Sequence, residues 1–237
     1  MNPLKHWTLD EIISALQEIK EKGWILSNRL HNTGIGKTLE DLLGIEENNI
    51  DLPDFGKLEL KSNRKDSGSM ISLFTKKPDG ITNKEILEIA GYQDKTFPEK
   101  KALHTTIGKK VNGMGFYYSV DKMKNKFIFH FKNKEMGYYS LDLLREKAME
   151  KLGDGVILVF AKSKKDKETK VESFLYDNAY LLKNFNFDKF LDKCVIEIRM
   201  GVYKSGKLKG RLHDHGTSFR IKQKDLSEIF GIYKEII

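Results

Sequence analysis

Two carboxylates and an ammonium lie close together in residues 53–61, which read Pro-Asp-Phe-Gly-Lys-Leu-Glu-Leu-Lys. The last four residues alternate apolar and charged, which predicts a half-buried strand. Because residues i and i+2 of a strand point to the same face, Glu59 and Lys61 project together while their leucine neighbours enter the core. A turn at Gly56, with the chain before it running back as a partner strand, brings Asp54 beside Glu59. Such a set can hold a divalent metal and a water beside a phosphodiester.

The Glu-x-Lys tripeptide is a weak signal when it is taken alone. It recurs at residues 18–20, 99–101 and 168–170, and in none of these places does Pro-Asp precede it on a predicted strand. A solvated charged face is the ordinary interpretation of an isolated Glu-x-Lys. The interpretation as a metal site therefore depends on the neighbouring residues.

The segment at residues 31–44 predicts a glycine-marked loop that enters a short amphipathic helix ending at Gly44. Glu40 lies off the leucine stripe of this helix, so it is either a third carboxylate of the site or an ordinary surface residue. Residues 36–38 read Gly-Lys-Thr, like the end of a nucleotide-binding P-loop. That motif requires a glycine where this chain has His31, which excludes the nucleotide-binding interpretation.

Two long motifs in the right order carry a resemblance to a known family. The first is Gly34-x-Gly36-Lys37-x-x-Glu40-x-x-Leu43-Gly44, followed by Pro53-Asp54-Phe55 and Glu59-Leu60-Lys61. It resembles the catalytic half of the MutH-like branch of the PD-(D/E)xK nucleases, and within that branch it is most similar to the MvaI/BcnI family of type II restriction endonucleases. The second motif, residues 201–221, resembles the recognition segment of that family, which MutH lacks. The matches cover about residues 20–78 and 195–225, and the middle agrees only in pattern.

The resemblance implies the chemistry of the site. Asp54 and Glu59 would bind Mg²⁺, with the carbonyl of Leu60 as a third ligand. Lys61 would orient or help to deprotonate the attacking water, and Glu40 would either bind a second metal or tune Lys61. Attack in line would leave a 5′-phosphate and a 3′-hydroxyl.

The net charge of +8, from 42 basic and 34 acidic residues, favours a polyanionic partner. Residues 199–224 contain eight of the basic side chains and a single acid, Asp214. A solvated charge run is the alternative interpretation. Because turn glycines interrupt this run and strand patterns flank it, we expect a hairpin or loop that inserts into a DNA groove.

Within this run, residue types divide between reading bases and holding phosphates. Asp214 can accept from a cytosine amino group, and Arg220 or Arg211 can bind a guanine in the major groove. Lys204, Lys207 and Lys209 are expected to hold phosphates, which position the protein without specifying sequence. The other predicted DNA-binding residues are Lys37, Ser205, His213, His215 and Thr217, with His31 and His104 as secondary candidates that could instead be polar surface.

His213 and His215 form a His-x-His pattern that can bind zinc, but no cysteine or third ligand lies nearby in the sequence, so base contact is the preferred interpretation. The relatives recognise sites of the form CC, one central pair, GG, and a related short GC-flanked site is expected. The resemblance also implies double-stranded DNA as partner, a monomer that nicks each strand in turn, no nucleotide cofactor, and a cognate DNA methyltransferase in the same host.

Two other functions stay open at this point. One is a MutH-type nicking enzyme of mismatch repair, disfavoured by residues 201–221. The other is a non-catalytic basic DNA-binding protein, disfavoured by the complete set of acids and lysine at the predicted site.

Cys194 is the single cysteine, so no intrachain disulfide forms, and its apolar neighbours predict a buried thiol. With no signal peptide and no long apolar run, a soluble cytoplasmic protein is expected.

The predicted fold is α/β, a restriction-endonuclease-like mixed sheet flanked by helices, with two lobes forming a DNA-binding cleft. Residues 1–110 would form the catalytic lobe and residues 111–237 the recognition lobe, with an approximate boundary and interleaving left open. A capping box at residues 8–11 opens the first helix. Further helices are predicted at 140–152, 187–193 and 225–230, strands at 69–75, 116–120, 126–131, 156–161, 171–180 and 195–200, and a loop-rich stretch at 79–113.

Overall fold

The computed structural model describes residues 7–29, 33–45, 53–65 and 68–237. In chain order the elements are α1 (Leu9–Glu21), β1 (Ile25–Leu26), α2 (Gly34–Leu42), β2 (Glu59–Arg64), β3 (Ile71–Thr75), α3 (Asn83–Ala90), β4 (Tyr92–Gln93), β5 (Lys101–Ile107), β6 (Phe116–Asp121), β7 (Lys126–Phe131), β8 (Lys134–Ser140), α4 (Leu141–Leu152), β9 (Val156–Lys165), β10 (Glu172–Phe185), α5 (Phe187–Lys193), β11 (Val195–Val202), β12 (Leu212–Ile221), a 3₁₀ turn (Gln223–Asp225), α6 (Leu226–Ile229) and β13 (Phe230–Glu235).

The start of α1 follows directly from local sequence. The Thr8 hydroxyl accepts a hydrogen bond from the Glu11 amide at 3.3 Å, and the Glu11 carboxylate accepts one from the Thr8 amide at 2.8 Å. This reciprocal pair satisfies two backbone donors that the first turn leaves without partners. The helix buries Ile12, Leu16 and Ile19 on one face, each of which contributes about 1.5–3 kcal/mol through removal from water. The predicted capping box is confirmed.

The chain divides into two compact units, and each is built from segments on both sides of residue 110. The first contains the described parts of residues 1–71 together with 149–189 and 222–237. Its sheet has the order β1-β10-β9-β2, with β13 also paired to β10. The β2–β9 pairing is parallel, whereas β10 is antiparallel to each of its partners. This makes the sheet mixed, as the sequence predicts.

Helices α1 and α2 cover the sheet of the first unit. Their apolar faces join Leu60 of β2 and the buried side chains of β9 and β10 in one core. The hydroxyl of buried Tyr176 donates to the carbonyl of Ile35 at 2.7 Å, which ties α2 to β10. Val156 and the five residues after it are all buried, as expected for a strand covered on both faces.

The second unit contains residues 72–148 and 190–221. It has one sheet with the order β3-β12-β11-β5-β4 and another with the order β6-β7-β8. Its core is aromatic and centres on Phe219, whose ring lies 5.2 Å from Phe74, 5.8 Å from Phe127, 5.0 Å from Tyr139 and 5.9 Å from Phe190. Aromatic pairs at these separations stabilise beyond the area that they bury.

The prediction of a loop-rich stretch at residues 79–113 is wrong. Helix α3 lies there, opened by a second capping box between Thr82 and Glu85, and β5 follows it. Strand β5 pairs with β11, far away in the chain, and such pairing leaves little local signal. Strands β8 and β13 were also absent from the prediction. Apart from the partner strand predicted before Gly56, the other predicted helices and strands are present, with ends that differ by a few residues.

Cys194 is buried and free, as predicted, and burial raises the pKa of its thiol to about 12. In the described part of the chain, no helix is long and apolar enough to cross a bilayer.

Candidate active site and nucleic-acid interface

Strand β2 places the predicted catalytic side chains. Its parallel partner β9 is buried, and the Glu59 amide donates to the carbonyl of Gly155 at 3.1 Å, which fixes the start of β2 against β9. Leu60 enters the core of the first unit. Glu59 and Lys61 therefore share the opposite face, as the alternation of the sequence predicts.

Asp54 reaches this strand from a tight turn. The Phe55 amide donates to the Leu58 carbonyl at 3.0 Å, and the Gly56 amide donates to the Pro53 carbonyl at 3.1 Å. Gly56 has a φ of +81°, which a residue with a side chain rarely adopts. Residues 53–58 thus form a turn where a hairpin strand was predicted, and residues 50–52 of that strand lie outside the described residues.

One hydrogen bond joins this turn to the strand: an Asp54 carboxylate oxygen accepts from the Leu60 amide at 2.9 Å. In an extended strand the N–H and C=O of one residue point to the same side. Since the Leu60 amide faces Asp54 and the Glu59 amide faces β9, the Leu60 carbonyl faces the side on which Asp54 lies. The Asp54 carboxylate and the Leu60 carbonyl therefore lie on the same side of β2, and Asp54 is close enough to Glu59 for its charge to raise the pKa of Glu59.

Glu59 is an ionisable side chain in a dry place, with 4% of its surface exposed. Lys61 binds its Oε1, and the Lys151 ammonium lies 3.6 Å from its Oε2. Oε2 is buried and has no hydrogen-bond partner among the described residues. Burial raises the pKa of Glu59 above its ordinary value and the charge of Asp54 adds to this, while Lys61 and Lys151 oppose it.

Lys151 was not among the residues singled out from sequence. It lies in the last turn of α4, and its side chain is 13% exposed. In the sequence it is one of two lysines on a predicted helix, far from residues 53–61. Only the tertiary fold brings it to the carboxylate, so no local pattern could have found it.

Glu40 and Lys37 lie on α2, which packs against β2. A Cβ at Gly36 would come 3.6 Å from the Ser62 hydroxyl and 3.7 Å from a Glu40 carboxylate oxygen, which are ordinary van der Waals distances, so Glu40 and Ser62 both lie beside Gly36. Glu40, Lys37, Arg29 and Ser62 line an open depression of about 350 Å³. Lys37 also forms an ion pair with Asp41 at 2.7 Å. Because Ser62 and Lys61 alternate along β2, Glu40 lies toward the face opposite Glu59.

The basic segment of the sequence forms a hairpin from β11, a turn at residues 203–211, and β12. The Tyr203 amide donates to the Arg211 carbonyl at 2.9 Å, and the Gly210 amide donates to the Tyr203 carbonyl at 2.8 Å. These bonds close the base of the turn. Of the predicted DNA-binding residues, this turn exposes Lys204, Ser205, Lys207, Lys209 and Arg211.

Beyond the turn, His213 and His215 lie in an aromatic stack. The His213 ring lies 4.1 Å from the Tyr203 ring, nearly parallel to it, and 3.7 Å from the His215 ring. Partial burial lowers the pKa of His215, and the neighbouring His213 and Arg199 lower it further. His215 is therefore neutral at pH 7.

The remaining candidates on β12 differ in their surroundings. The exposed carboxylate of Asp214 accepts from the Asn83 side-chain amide at 3.0 Å and from the Gly216 amide at 2.7 Å, so its orientation is fixed. Thr217 is 1% exposed, and its hydroxyl donates to the carbonyl of Lys76. Thr217 therefore stabilises the hairpin from within the protein.

Two acids not singled out from sequence hold basic candidates. Glu197 accepts from an Arg220 Nη at 2.6 Å, and the same oxygen lies 3.2 Å from Nε2 of His104. Asp94, which is buried, binds the ammonium of Lys204. The structure thus brings His104 and Arg220 together, while His31 lies outside the described residues.

The sequence profile of the MvaI/BcnI restriction endonuclease family matches residues 13–230. The chain belongs to this family. It is accordingly a type II site-specific deoxyribonuclease, and its mixed sheets flanked by helices are the fold of that group.

Two solved structures support the assignment. A complex of the restriction endonuclease MvaI with its cognate DNA substrate is 30% identical, with a TM-score of 0.86, and the match covers 97% of this chain and 98% of that one. The structure of MvaI in the absence of DNA is 29% identical, with a TM-score of 0.52 and coverage of 100% of both chains. A search of curated proteins found no match.

Proposed function

We propose that this deoxyribonuclease hydrolyses phosphodiester bonds of double-stranded DNA with Mg²⁺ held by Asp54, Glu59 and the Leu60 carbonyl. The observation that carries the proposal is Glu59, whose buried Oε2 has no hydrogen-bond partner among the described residues and whose pKa the nearby charge of Asp54 helps to raise. The Lys151 ammonium lies 3.6 Å from this oxygen, and a buried carboxylate oxygen without a hydrogen bond is costly unless a closer cation or donor satisfies it. The donor set is all oxygen, which Mg²⁺ prefers, with water completing its coordination.

The metal, when bound, lowers the pKa of a water and stabilises charge on the phosphate. Lys61 projects from the same face as Glu59 and would orient the attacking water or help its deprotonation by stabilising the hydroxide that forms. Lys61 and Lys151 bring two ammonium groups to Glu59, and these also offset the negative charge of an incoming phosphate. In-line attack then leaves a 5′-phosphate and a 3′-hydroxyl.

Glu40 has two candidate roles in this scheme. It either holds a second metal or sets the orientation of Lys61 through the edge of β2. Its position beside Ser62 supports a role across the strand from Glu59. Lys37, which lines the same depression, would contact a flanking phosphate.

The hairpin at residues 195–221 would read the sequence. Lys207 and Lys209 on the exposed turn would hold phosphates, while Asp214 and either Arg211 or Arg220 would contact base edges. The fixed orientation of Asp214 supports this, because a preoriented acceptor loses little freedom when it binds a cytosine amino group. We expect a short site of the CC-N-GG type and a methyltransferase in the same host that protects it.

Digestion of a supercoiled plasmid with and without Mg²⁺ tests this function. Discrete fragments that require Mg²⁺ are expected, and sequencing of their ends identifies the site and the position of the cut. The Asp54→Asn variant serves as the matched control for contaminating nuclease. Cleavage that persists in EDTA, or a smear without fixed ends, would contradict the proposal.

A further inference from the structure

A second loop of the second unit supports the turn at residues 203–211. This loop, residues 94–100, follows β4 and is closed by its own backbone. The Asp94 amide donates to the Lys100 carbonyl at 2.8 Å, and the Lys100 amide donates to the Phe97 carbonyl at 2.8 Å. We call residues 94–100 the support loop and residues 203–211 the recognition turn.

Asp94 organises the support loop from within. Its side chain is 7% exposed, and its Oδ1 accepts from the amides of Thr96 at 2.8 Å and Phe97 at 3.0 Å. The same oxygen binds the ammonium of Lys204, in the recognition turn. One buried carboxylate thus fixes both loops, and a charge-assisted contact of this kind is stronger than a neutral one.

A second lysine ties the loops together from the other side. The Lys100 ammonium binds the carbonyl of Gly210, at the far end of the recognition turn. The ring of Phe97 lies near both lysines, 5.6 Å from the Lys100 ammonium and 5.8 Å from that of Lys204. Gly210 has a φ of +82°, and a Cβ there would come 3.4 Å from the Lys100 ammonium. Both ends of the turn are therefore clamped.

These contacts give Lys204 a different role from its neighbours. Lys207 and Lys209 are exposed at the tip of the turn, whereas the ammonium of Lys204 points to a buried acid. A phosphate contact by Lys204 would have to displace the charge of Asp94. The ion pair with Asp94 therefore favours a structural role for Lys204, in which it holds the recognition turn in place, over a role in binding a phosphate.

We propose that Asp94 is a positioning residue for sequence discrimination, acting through Lys204 to hold the recognition turn in the geometry that reads DNA. Asp94 touches no base in this scheme. The inference rests on the proposed function of the hairpin, because it concerns how the turn is held and not which residues contact bases. A misplacement of a contact loop by about 1 Å is enough to weaken selective chemistry.

The test measures sequence preference apart from DNA affinity. A library of DNA duplexes with randomised sites is cut and the ends are sequenced, which gives the ratio of cleavage at the preferred site to sites with one changed pair. Asp94→Asn keeps an acceptor for the Thr96 and Phe97 amides and removes the charge. We expect this ratio to fall about tenfold, with unchanged affinity for non-cognate DNA.

Lys204 supplies the second variant, which leaves the interior of the support loop intact. Lys204→Met should lower the discrimination ratio as much as Asp94→Asn does, whereas Lys204→Arg should retain it. The double variant Asp94→Asn with Lys204→Met should have a ratio no lower than that of either single variant. The salt dependence of non-cognate binding should be unchanged in Lys204→Met. A slope reduced by about 0.9 would make Lys204 a phosphate contact and overturn the proposal.

The exposed ion pair between Lys109 and Asp192, at 2.6 Å in the same unit, supplies the matched control. Asp192→Asn should leave discrimination unchanged. If Asp214→Ala lowers discrimination but Asp94→Asn does not, the positioning role of Asp94 is refuted while the hairpin keeps its function. If Asp214→Ala also leaves the preference intact, the proposed function of the hairpin fails, and this inference with it.

Discussion

The charged carboxylate of Glu59 is buried, and this burial lowers the stability of the fold. Its carboxylate is buried beside Asp54, and burial raises its pKa despite Lys61 and Lys151. The folded chain therefore holds a proton on Glu59 more readily than the unfolded chain does. Without a metal, the charged form of Glu59 costs stability at neutral pH, so its presence is best explained by what it binds.

This argument predicts that Glu59→Gln is inactive and more stable than the parent without metal. A raised pKa means that the parent gains stability as pH falls and loses it as pH rises through the folded-state pKa. The neutral glutamine lacks this dependence. The difference in melting temperature, measured by calorimetry in EDTA, should be largest at pH 7 and shrink toward pH 4. If the parent and the variant had the same melting temperature from pH 4 to pH 7, the buried charge of Glu59 would not lower the stability of the fold.

A second prediction at this scale concerns the metal ligands and binding. Asp54→Ala and Glu59→Ala should abolish cleavage while specific binding in Ca²⁺ survives, because the basic surface carries most of the affinity. Lys61→Ala should behave likewise. Glu168→Gln, an exposed acid of another Glu-x-Lys, is the matched control and should cut normally. Cleavage by Asp54→Ala near the parent rate, measured on plasmid, would remove Asp54 from the metal site.

The sequence was informative about single residues where the chain itself brings them together. Asp54, Glu59 and Lys61 are joined by one turn and one strand, so their convergence follows from strand alternation. Lys151 and Asp94 act through contacts that only the tertiary fold creates. Neither has a local pattern that sets it apart from the chain's many other acids and lysines.

The hairpin of β11 and β12 presents two kinds of polar side chain, some exposed and others held by neighbouring residues. Its tip carries exposed lysines, whereas Asp214 is oriented by Asn83 and Arg220 is bound by Glu197. Such held side chains suit base edges, because the geometry of a base contact is demanding. Flexible lysines suffice for phosphates, which carry no sequence information.

We therefore predict two classes of variant in this hairpin. Asp214→Ala and Arg220→Ala should each lose discrimination at particular base pairs by ~1–3 kcal/mol. Lys207→Ala should weaken binding to all sequences alike and lower the salt slope by about 0.9. Binding titrations on cognate and changed duplexes at several salt concentrations distinguish the classes. If Lys207→Ala altered sequence preference and the other two did not, this division would be wrong.

Elements with local signals were the predictable ones. The capping box of α1 and the apolar run of β9 are formed by residues close together in the sequence, so the sequence alone predicts both elements. Strand β5 owes its place to pairing with β11, and β13 to pairing with β10, across long stretches of chain. Helix α3 is different, because Thr82 and Glu85 form a capping box at local spacing, so a local signal for this helix is present in the sequence.

A chain with one predicted catalytic set must cut both strands of a DNA duplex. The chain carries a single Pro-Asp and Glu-x-Lys set, in its first unit, and the recognition hairpin in its second. One engagement can therefore hydrolyse one phosphodiester. A dimer on a palindrome would supply a second site, but stable dimers usually need a self-complementary apolar patch. We predict a monomer, as the resemblance to the MvaI/BcnI family implies.

A monomer must nick one strand and then reorient or rebind to cut the other. Supercoiled plasmid with one site should therefore pass through an open-circular intermediate, and the initial rate should be linear in enzyme concentration. Gel densitometry over a time course at several enzyme concentrations measures both, and a plasmid without the site controls for nonspecific nicking. A dimer would convert supercoiled plasmid directly to linear product with a rate that rises as the square of enzyme concentration. That outcome would refute the monomer, but it would not contradict the proposed metal site or the proposed role of the hairpin, because each proposal concerns residues of one chain.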